Sequence, residues 1–298
     1  MVSQLAAISK LPANISYPAL VSTKAVVSLA DEHRTEVLSF LAERPLHTVF
    51  MSGYIRDHGL VSPLNRGTFY GCRDAEGRLE GVALIGDALL FETRSEAALA
   101  AFANLARSHA RPQLILGDGE KVAPFWHYYT GDEQLSHKIC RELLFELRWP
   151  VEVHKAVPGL RAATLDDLEL IVPVHAQMAF EESGVNPLET DAVGFRERCA
   201  RRIERGRVWV WVENNSLIFK ADIVSETPET IYLEGIYVAP QERGKGYGLR
   251  CISQLGRSLL ERTGSVCLLV NEQNKRAQAL YRRANYKFRA FCDTIFLQ

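Results

Sequence analysis

The sequence predicts an α/β protein built on a mixed sheet, and its 298 residues are enough for two domains. Two observations carry that expectation. Runs with strand character alternate with runs of helical periodicity along the whole chain. In the second half, Thr230 to Leu260 passes from an apolar and aromatic strand, through a glycine-rich loop, into a helical pattern. The composition, 47% hydrophobic and 24% charged, is that of a globular protein. A formal net charge of -1 argues against a dedicated nucleic-acid binder, which is usually strongly basic. No apolar run reaches the roughly 18 residues of a membrane span, so no membrane association is expected.

In chain order, residues 1–24 carry Pro12 and Pro18 and little periodicity, as a loose or surface-draped leader would. They lack the basic start and continuous apolar core of a signal peptide. Residues 25–150 form the expected first domain. Helices are expected from Ala30 to Glu43 and, after Pro45, through Val49, Phe50, Tyr54 and Ile55. Strands follow at Gly67–Arg73, Leu79–Ile85 and Ala88–Glu92, then an alanine-rich helix Ser95–His109 with Ser95 as its cap. Leu114–Leu116 reads as a short strand, Gly119–Tyr129 as a helix and His137–Leu147 as partly extended.

Residues 151–298 form the expected second domain. Leu160–Thr164 reads as a strand and Leu165–Phe180 as a helix with Leu168, Ile171, Val172, His175 and Met178 on one apolar stripe. On that stripe His175 reads as a core histidine rather than a catalytic base. The helix Asp191–Arg205 sets its arginines against Glu197 and Glu204 on a solvated face. Strands are expected at Arg207–Val212, Leu217–Val224 and Thr230–Val238, the last stopped by Pro240. Ser265–Asn271 is a further strand, Asn274–Ala284 a helix, and Phe291–Phe296 the final strand. The six cysteines form no C-x-x-C pair and read as reduced thiols of a cytoplasmic protein. The eight histidines show no metal-ligand spacing, so no metal is expected.

The loop after Pro240 holds Gly244, Gly246 and Gly248. A helix start reached through such a loop turns backbone N–H groups toward an anion, usually a phosphate. The dinucleotide fingerprint G-x-G-x-x-G does not fit: the spacing is G-x-G-x-G, and Leu268 and Leu269 stand where its acid belongs. The nucleotide-triphosphate loop fails too, because Gly246 follows Lys245 and Ala239 replaces the first glycine. Arg243-x-x-Gly246-x-Gly248, after a strand ending Val238-Ala239-Pro240, resembles motif A of the GCN5-related N-acetyltransferases (GNAT). Downstream, Asn274-x-x-Ala277-x-x-x-Tyr281-x-x-x-Asn285-Tyr286 resembles motif B of the same family. Asn285 replaces the family glycine and tolerates the same left-handed backbone; Tyr286 replaces the phenylalanine. The resemblance covers about residues 158–298. Ala179–Gly184 and Phe219-Lys220-Ala221, with the two motifs, also resemble bacterial acetyltransferases carrying an N-terminal DUF4081-type domain.

The resemblance implies tandem GNAT-like domains. The second would be a complete acyl-CoA N-acyltransferase fold. The first, with its helix, helix, three-strand meander, helix, strand, helix, strand, would be a degenerate copy. Its junction Leu89–Ala98 has no glycine, and Glu92 and Glu96 place negative charge where a pyrophosphate would sit. The implied reaction is acetyl-CoA-dependent N-acetylation of a primary amine, on a small molecule or a protein, by direct attack on the thioester. The alternative is a non-catalytic acyl-CoA sensor whose first half binds a partner. Ile236, Tyr237 and Val238 would pair with pantetheine through their backbone. The N–H groups of Gly244, Lys245, Gly246, Tyr247, Gly248 and Leu249 would hold the pyrophosphate, with charge from Arg243, Lys245 and Arg250. Tyr281 would protonate the leaving thiolate. Asn274 would touch the pantetheine arm or cap its helix, and Asn271 is a further cofactor-side candidate. Glu234, expected on the face of Ile236, would act as base through a water, since an unpaired carboxylate inside an apolar strand is costly. A salt bridge to a neighbour such as Lys220 is the competing account. Glu181 and Glu182 would line the acceptor mouth or simply be exposed.

Overall fold

The computed structural model describes residues 25–109, 112–131, 133 and 135–297; the leader expected at 1–24 lies outside them. The elements of the first half are β1 (Val26–Ser28), α1 (Arg34–Leu41), α2 (Pro45–His58), β2 (Gly67–Arg73), β3 (Leu79–Gly86), β4 (Ala88–Thr93), α3 (Glu96–His109), β5 (Leu114–Asp118), α4 (Gly119–Thr130) and β6 (His137–Leu147). There follow β7 (Leu160–Ala162), α5 (Leu168–Ser183), α6 (Pro187–Thr190), α7 (Ala192–Glu204), β8 (Val208–Glu213), β9 (Ser216–Glu226), β10 (Ile231–Val238), α8 (Tyr247–Leu260), β11 (Val266–Asn271), α9 (Lys275–Arg283) and β12 (Lys287–Leu297). The chain divides into two compact units. One is Met1–Glu146, Leu269–Ala277 and Phe288–Gln298; the other is Leu147–Leu268 and Gln278–Lys287.

In the first unit the strands run in the order β1-β2-β3-β4-β5-β12-β6. Successive side chains of a strand face opposite ways. Val82, Leu84 and Leu90 therefore pack with Val37, Leu41 and Ile55 of α1 and α2. Ala83, Ile85, Leu89 and Phe91 pack on the other face with Phe102 and Phe125 of α3 and α4. A sheet covered on both faces explains why β3 and β4 read as nearly unbroken apolar runs. The helix expected from Ala30 starts with a 3-10 turn at Asp31–His33, and α1 stops at Leu41. Strand β1 was not anticipated: three residues are too short to show an alternation.

The last strand departs from a single division near residue 150. It pairs antiparallel with β5, from Cys292 opposite Asp118 to Phe296 opposite Leu114. Its Ile295 is buried in the α3–α4 core, and Arg141 of β6 grips the fully buried Asp293 through two 2.8 Å hydrogen bonds. An apolar strand pattern specifies burial but not the neighbour.

Strands β4 and β5 run parallel from Ala88–Leu114 to Leu90–Leu116. Beyond that pairing an ionic cluster links them. Arg44 donates to Glu92 at 3.1 Å and to Asp118 at 2.6 Å, and Lys121 donates to Glu92 and to the Thr93 carbonyl. Glu96 accepts from the Tyr128 hydroxyl. The negative charge expected at Glu92 is thus neutralised within the unit.

In the second unit the order is β11-β10-β9-β8-β7. Helices α5 and α7 cover one face through Ile171, Val172, Phe195 and Ile203 against Val208, Val210 and Leu217. Helix α8 buries Cys251, Ile252, Leu255 and Leu259. The arginines of α7 pair more widely than expected: Arg196 with Glu169, Arg198 with Asp191, Arg201 with Glu197 and Arg202 with Asp222. Among the described residues no cysteine forms a disulfide. Among the described residues no helix is long and apolar enough to cross a membrane.

Replacing Glu92 by alanine would leave Arg44 and Lys121 facing a buried gap. Loss of one partner from a buried ionic cluster costs about 3 kcal/mol. Urea denaturation should show that loss, and an unchanged midpoint would contradict it.

Candidate functional site

Strand β10 is the spine of the site. Its early residues Ile231, Tyr232 and Leu233 are buried. It pairs in parallel with β11 at Ile231–Val266 and Tyr232–Cys267 and then continues to Val238. On its other side it is antiparallel to β9, with Glu234 opposite Asp222 and Tyr237 opposite Lys220. Gly235 and Ile236 thus oppose the single residue Ala221, which is a β-bulge. Gly235 has φ of 59°, left-handed backbone that suits glycine.

The bulge corrects one expectation. Alternation was to put Glu234 and Ile236 on one face, but an extra residue between paired positions breaks the period of two. Glu234 is also exposed rather than enclosed by the apolar strand. The cost of burying its carboxylate therefore gives no reason for a catalytic use. Lys220, the partner offered in the competing account, has its ammonium 2.6 Å from Asp222.

After β10, Pro240–Glu242 makes a 3-10 turn and the chain enters α8 through Gly246. Gly244 and Gly246 have φ of 83° and 82°. Their conformation demands glycine whatever lies opposite. Among the described residues, nothing lies within 4 Å of where a Cβ would stand on either. Gly246 caps α8 and, lacking a side chain, offers no cap acceptor to the first-turn N–H groups of Tyr247, Gly248 and Leu249. Gly248 has another duty: a Cβ there would be 3.2 Å from Val238 and 3.5 Å from Leu280, so glycine brings α8 close to β10.

The basic residues divide. Arg243 donates to the Val238 carbonyl at 2.9 Å, and Lys245 pairs with Glu242 at 2.9 Å; both pairings are on the surface. Arg250, expected to assist with phosphate, instead holds the carbonyls of Lys155 and Ala156 at 2.9 and 2.7 Å. Gln254 completes that latch by bonding both the N–H and the carbonyl of Val157.

Tyr281 on α9 is 7% exposed, and burial raises its hydroxyl above the usual phenol range. It stays protonated at neutral pH, so it has a proton to give. Tyr286 stands 5.8 Å from it, ring to ring, and is buried. Asn285 has φ of 67°, the left-handed geometry the replaced glycine position required. Asn274 accepts from the Ala277 N–H at 3.0 Å, so it caps α9, one of its two expected roles. Asn271 donates to Cys140 Sγ and accepts from the Gln273 N–H. Glu181 is held by Gln177 one turn earlier; the Glu182 side chain lies outside the described ones.

A charged group behind the bulge was missed. Asp222 Oδ2 meets Lys220, Arg202 at 3.3 Å and His175 at 3.9 Å. Lys220 and Asp222 interrupt an apolar strand two residues apart, which puts them on one face. That was the available signal. His175 is half-buried and also 3.8 Å from Cys199 Sγ. Desolvation, then the Lys220 charge, depresses its pKa to about 4.

A strand paired in parallel on one side and bulged against its antiparallel neighbour on the other, ahead of a helix capped by glycine, defines a mixed-sheet α/β fold with a glycine-led helix N-terminus. Residues 175–286 match the acetyltransferase (GNAT) family. That match runs from α5 through α9 and covers less than half of the chain, so it is a likeness of this segment to the family. Solved structures extend the likeness in fold along nearly the whole chain. A Drosophila protein is similar with 14% identity and a TM-score of 0.67, over 92% of this chain and 99% of its own. An acetyltransferase from Sphaerobacter thermophilus is similar with 12% identity and a TM-score of 0.58, over 91% of this chain and 94% of its own. A tandem GNAT protein of the clavulanic acid biosynthesis pathway gives 18% identity and 0.55, over 91% of this chain and 98% of its own. No curated protein matches the chain significantly. These likenesses support tandem GNAT folds and do not reach the narrower DUF4081-type resemblance.

An unfolded histidine takes up its proton near pH 6.5, whereas His175 in the fold waits until about 4. Between those values the unfolded chain binds more protons, so stability falls as pH drops through the window. Urea denaturation at pH 7 and pH 5 should show a smaller acid loss for His175→Gln than for the parent; equal losses would contradict the assignment.

Proposed function

We propose that the protein is an acetyl-CoA-dependent N-acetyltransferase acting on a primary amine through direct attack in a ternary complex. The observation that carries this reading is the course of β10, which leaves β11 after Tyr232, bulges at Gly235 and leads into the glycine-capped start of α8. A strand edge beyond its last partner can pair with the amides of a pantetheine arm. The N–H groups of Tyr247, Gly248 and Leu249, at the positive end of α8, suit a pyrophosphate. The open space at Gly244 and Gly246 leaves room for it. Arg243 and Lys245 lie on the surface beside this loop and add positive charge.

The residues present fit acetyl-CoA, which would supply the thioester. A backbone N–H at the bulge would polarise the acyl carbonyl. Tyr281 would give its proton to the departing thiolate; its burial keeps that proton in place until needed. Glu234, exposed at the bulge, would take the amine proton through a water. Asn271 and Asn274 would act on the cofactor side indirectly, by shaping the entry to α9. The ionic cluster of Arg44, Glu92, Asp118 and Lys121 occupies the ends of β4 and β5 in the first unit, which supports a single catalytic site.

Calorimetry should detect acetyl-CoA binding, and thiol release across a panel of amines and peptides should identify acceptors. Binding without transfer to any amine would favour a non-catalytic acyl-CoA sensor. No binding at all would refute both readings. Glu234→Gln and Tyr281→Phe should each lower kcat about a hundredfold, the scale of one general acid or base, with acetyl-CoA affinity kept. Gly246→Ala should weaken acetyl-CoA affinity, and unchanged affinity would remove the loop from the proposed site.

A further inference from the structure

Behind the bulge lies a charged pair that the proposed chemistry does not use. Lys220 is 0% exposed and Asp222 1% exposed, both on β9. Lys220 Nζ donates to Asp222 Oδ2 at 2.6 Å and to the Gly235 carbonyl at 3.4 Å. The pair and the bulge interlock. A Cβ on Gly235 would lie 2.7 Å from Asp222 Oδ2 and 2.9 Å from Lys220 Nζ. Stability alone does not explain the arrangement, because a buried ion pair is seldom better than an apolar pair of the same volume.

We propose that Lys220, held by Asp222, is a positioning residue that aims the Ile236 N–H at the acyl carbonyl of the thioester. The inference rests on the acyl-transfer reading above. A bulge sets two residues against one and leaves backbone groups without ladder partners. Lys220 reaches one of them, the Gly235 carbonyl. That carbonyl and the Ile236 N–H belong to one planar trans peptide, so they point in opposite directions. Drawing the carbonyl toward the Lys220–Asp222 pair turns the N–H away from β9. The donor is thereby fixed before the acyl group arrives, which is the condition under which such a donor lowers a barrier. Arg202, 3.3 Å from Asp222, helps to hold the carboxylate in place. Lys220 itself touches neither amine nor thioester in this arrangement.

The test compares Lys220→Met with the double variant Lys220→Met/Asp222→Asn. The single change leaves the buried Asp222 carboxylate with Arg202 in place of its closest partner and should lower the melting temperature. The double change removes both charges and should recover most of that stability. In both, kcat should fall about tenfold or more, a part of what losing an oxyanion-hole donor costs, with the acetyl-CoA dissociation constant within about twofold of the parent. A double variant that regains kcat together with stability would make the pair merely structural and overturn the proposal. So would a folded single variant with parental kcat; if the single variant does not fold, the double variant decides. If the parent transfers acetyl to no amine, the function reading fails and the positioning is judged by NMR. The Ile236 amide order parameter should then fall in the double variant from the rigid value of about 0.85. Equal values in parent and variant would overturn it.

Discussion

One extra residue in β10 is the constraint on which the second unit depends. Between Glu234 and Tyr237 this strand has two residues where β9 has one. Only a residue tolerant of left-handed backbone fits that kink, and Gly235 supplies it. The bulge interrupts the ladder on one side while the parallel pairing with β11 stops at Tyr232 on the other. Where the bulge opens the ladder, backbone polar groups must find other partners. The Lys220 ammonium answers one of them from behind. A pantetheine arm, on the proposed function, would answer others from the front.

Each unit handles buried charge close to its parallel strand pair, and the two solutions differ. In the first, Glu92 and Asp118 are gripped by Arg44 and Lys121 from the surrounding helices and turns. Such a network satisfies itself and leaves little charge for a ligand. In the second, the charges sit behind the strand, on β9, and the region of Gly244 and Gly246 stays open. The contrast in residue placement, more than any difference in strand order, separates a filled cleft from an available one.

The elements of the second unit were legible because their signals are local. The valine–tryptophan alternation of β8, the apolar stripe of α5 and the glycines before α8 each report on neighbours within a few residues. The two motifs placed Tyr281, Asn274 and Asn285 on the right elements, and Asn285 adopted the backbone that its substitution for glycine requires. The placement expected for Glu234, on the face of Ile236, differs for a physical reason. The alternation rule assumes an unbroken ladder, and a bulge is invisible until the partner strand is known. The partners of Arg250 were hidden for a similar reason: its charge is local, but the carbonyls of Lys155 and Ala156 that engage it arrive from far along the chain.

By itself the sequence determined the α/β class, the succession of helices and strands, the glycine loop and its family resemblance, all of which rest on periodicity and short-range chemistry. The tertiary structure decided the rest. It assigned β12 to the sheet of the first unit, buried Lys220 against Asp222, left Glu234 exposed and latched residues 155–157 onto α8. Each of these depends on which strand or helix lies alongside. That choice is made by packing between residues distant in the chain, and no local pattern encodes it.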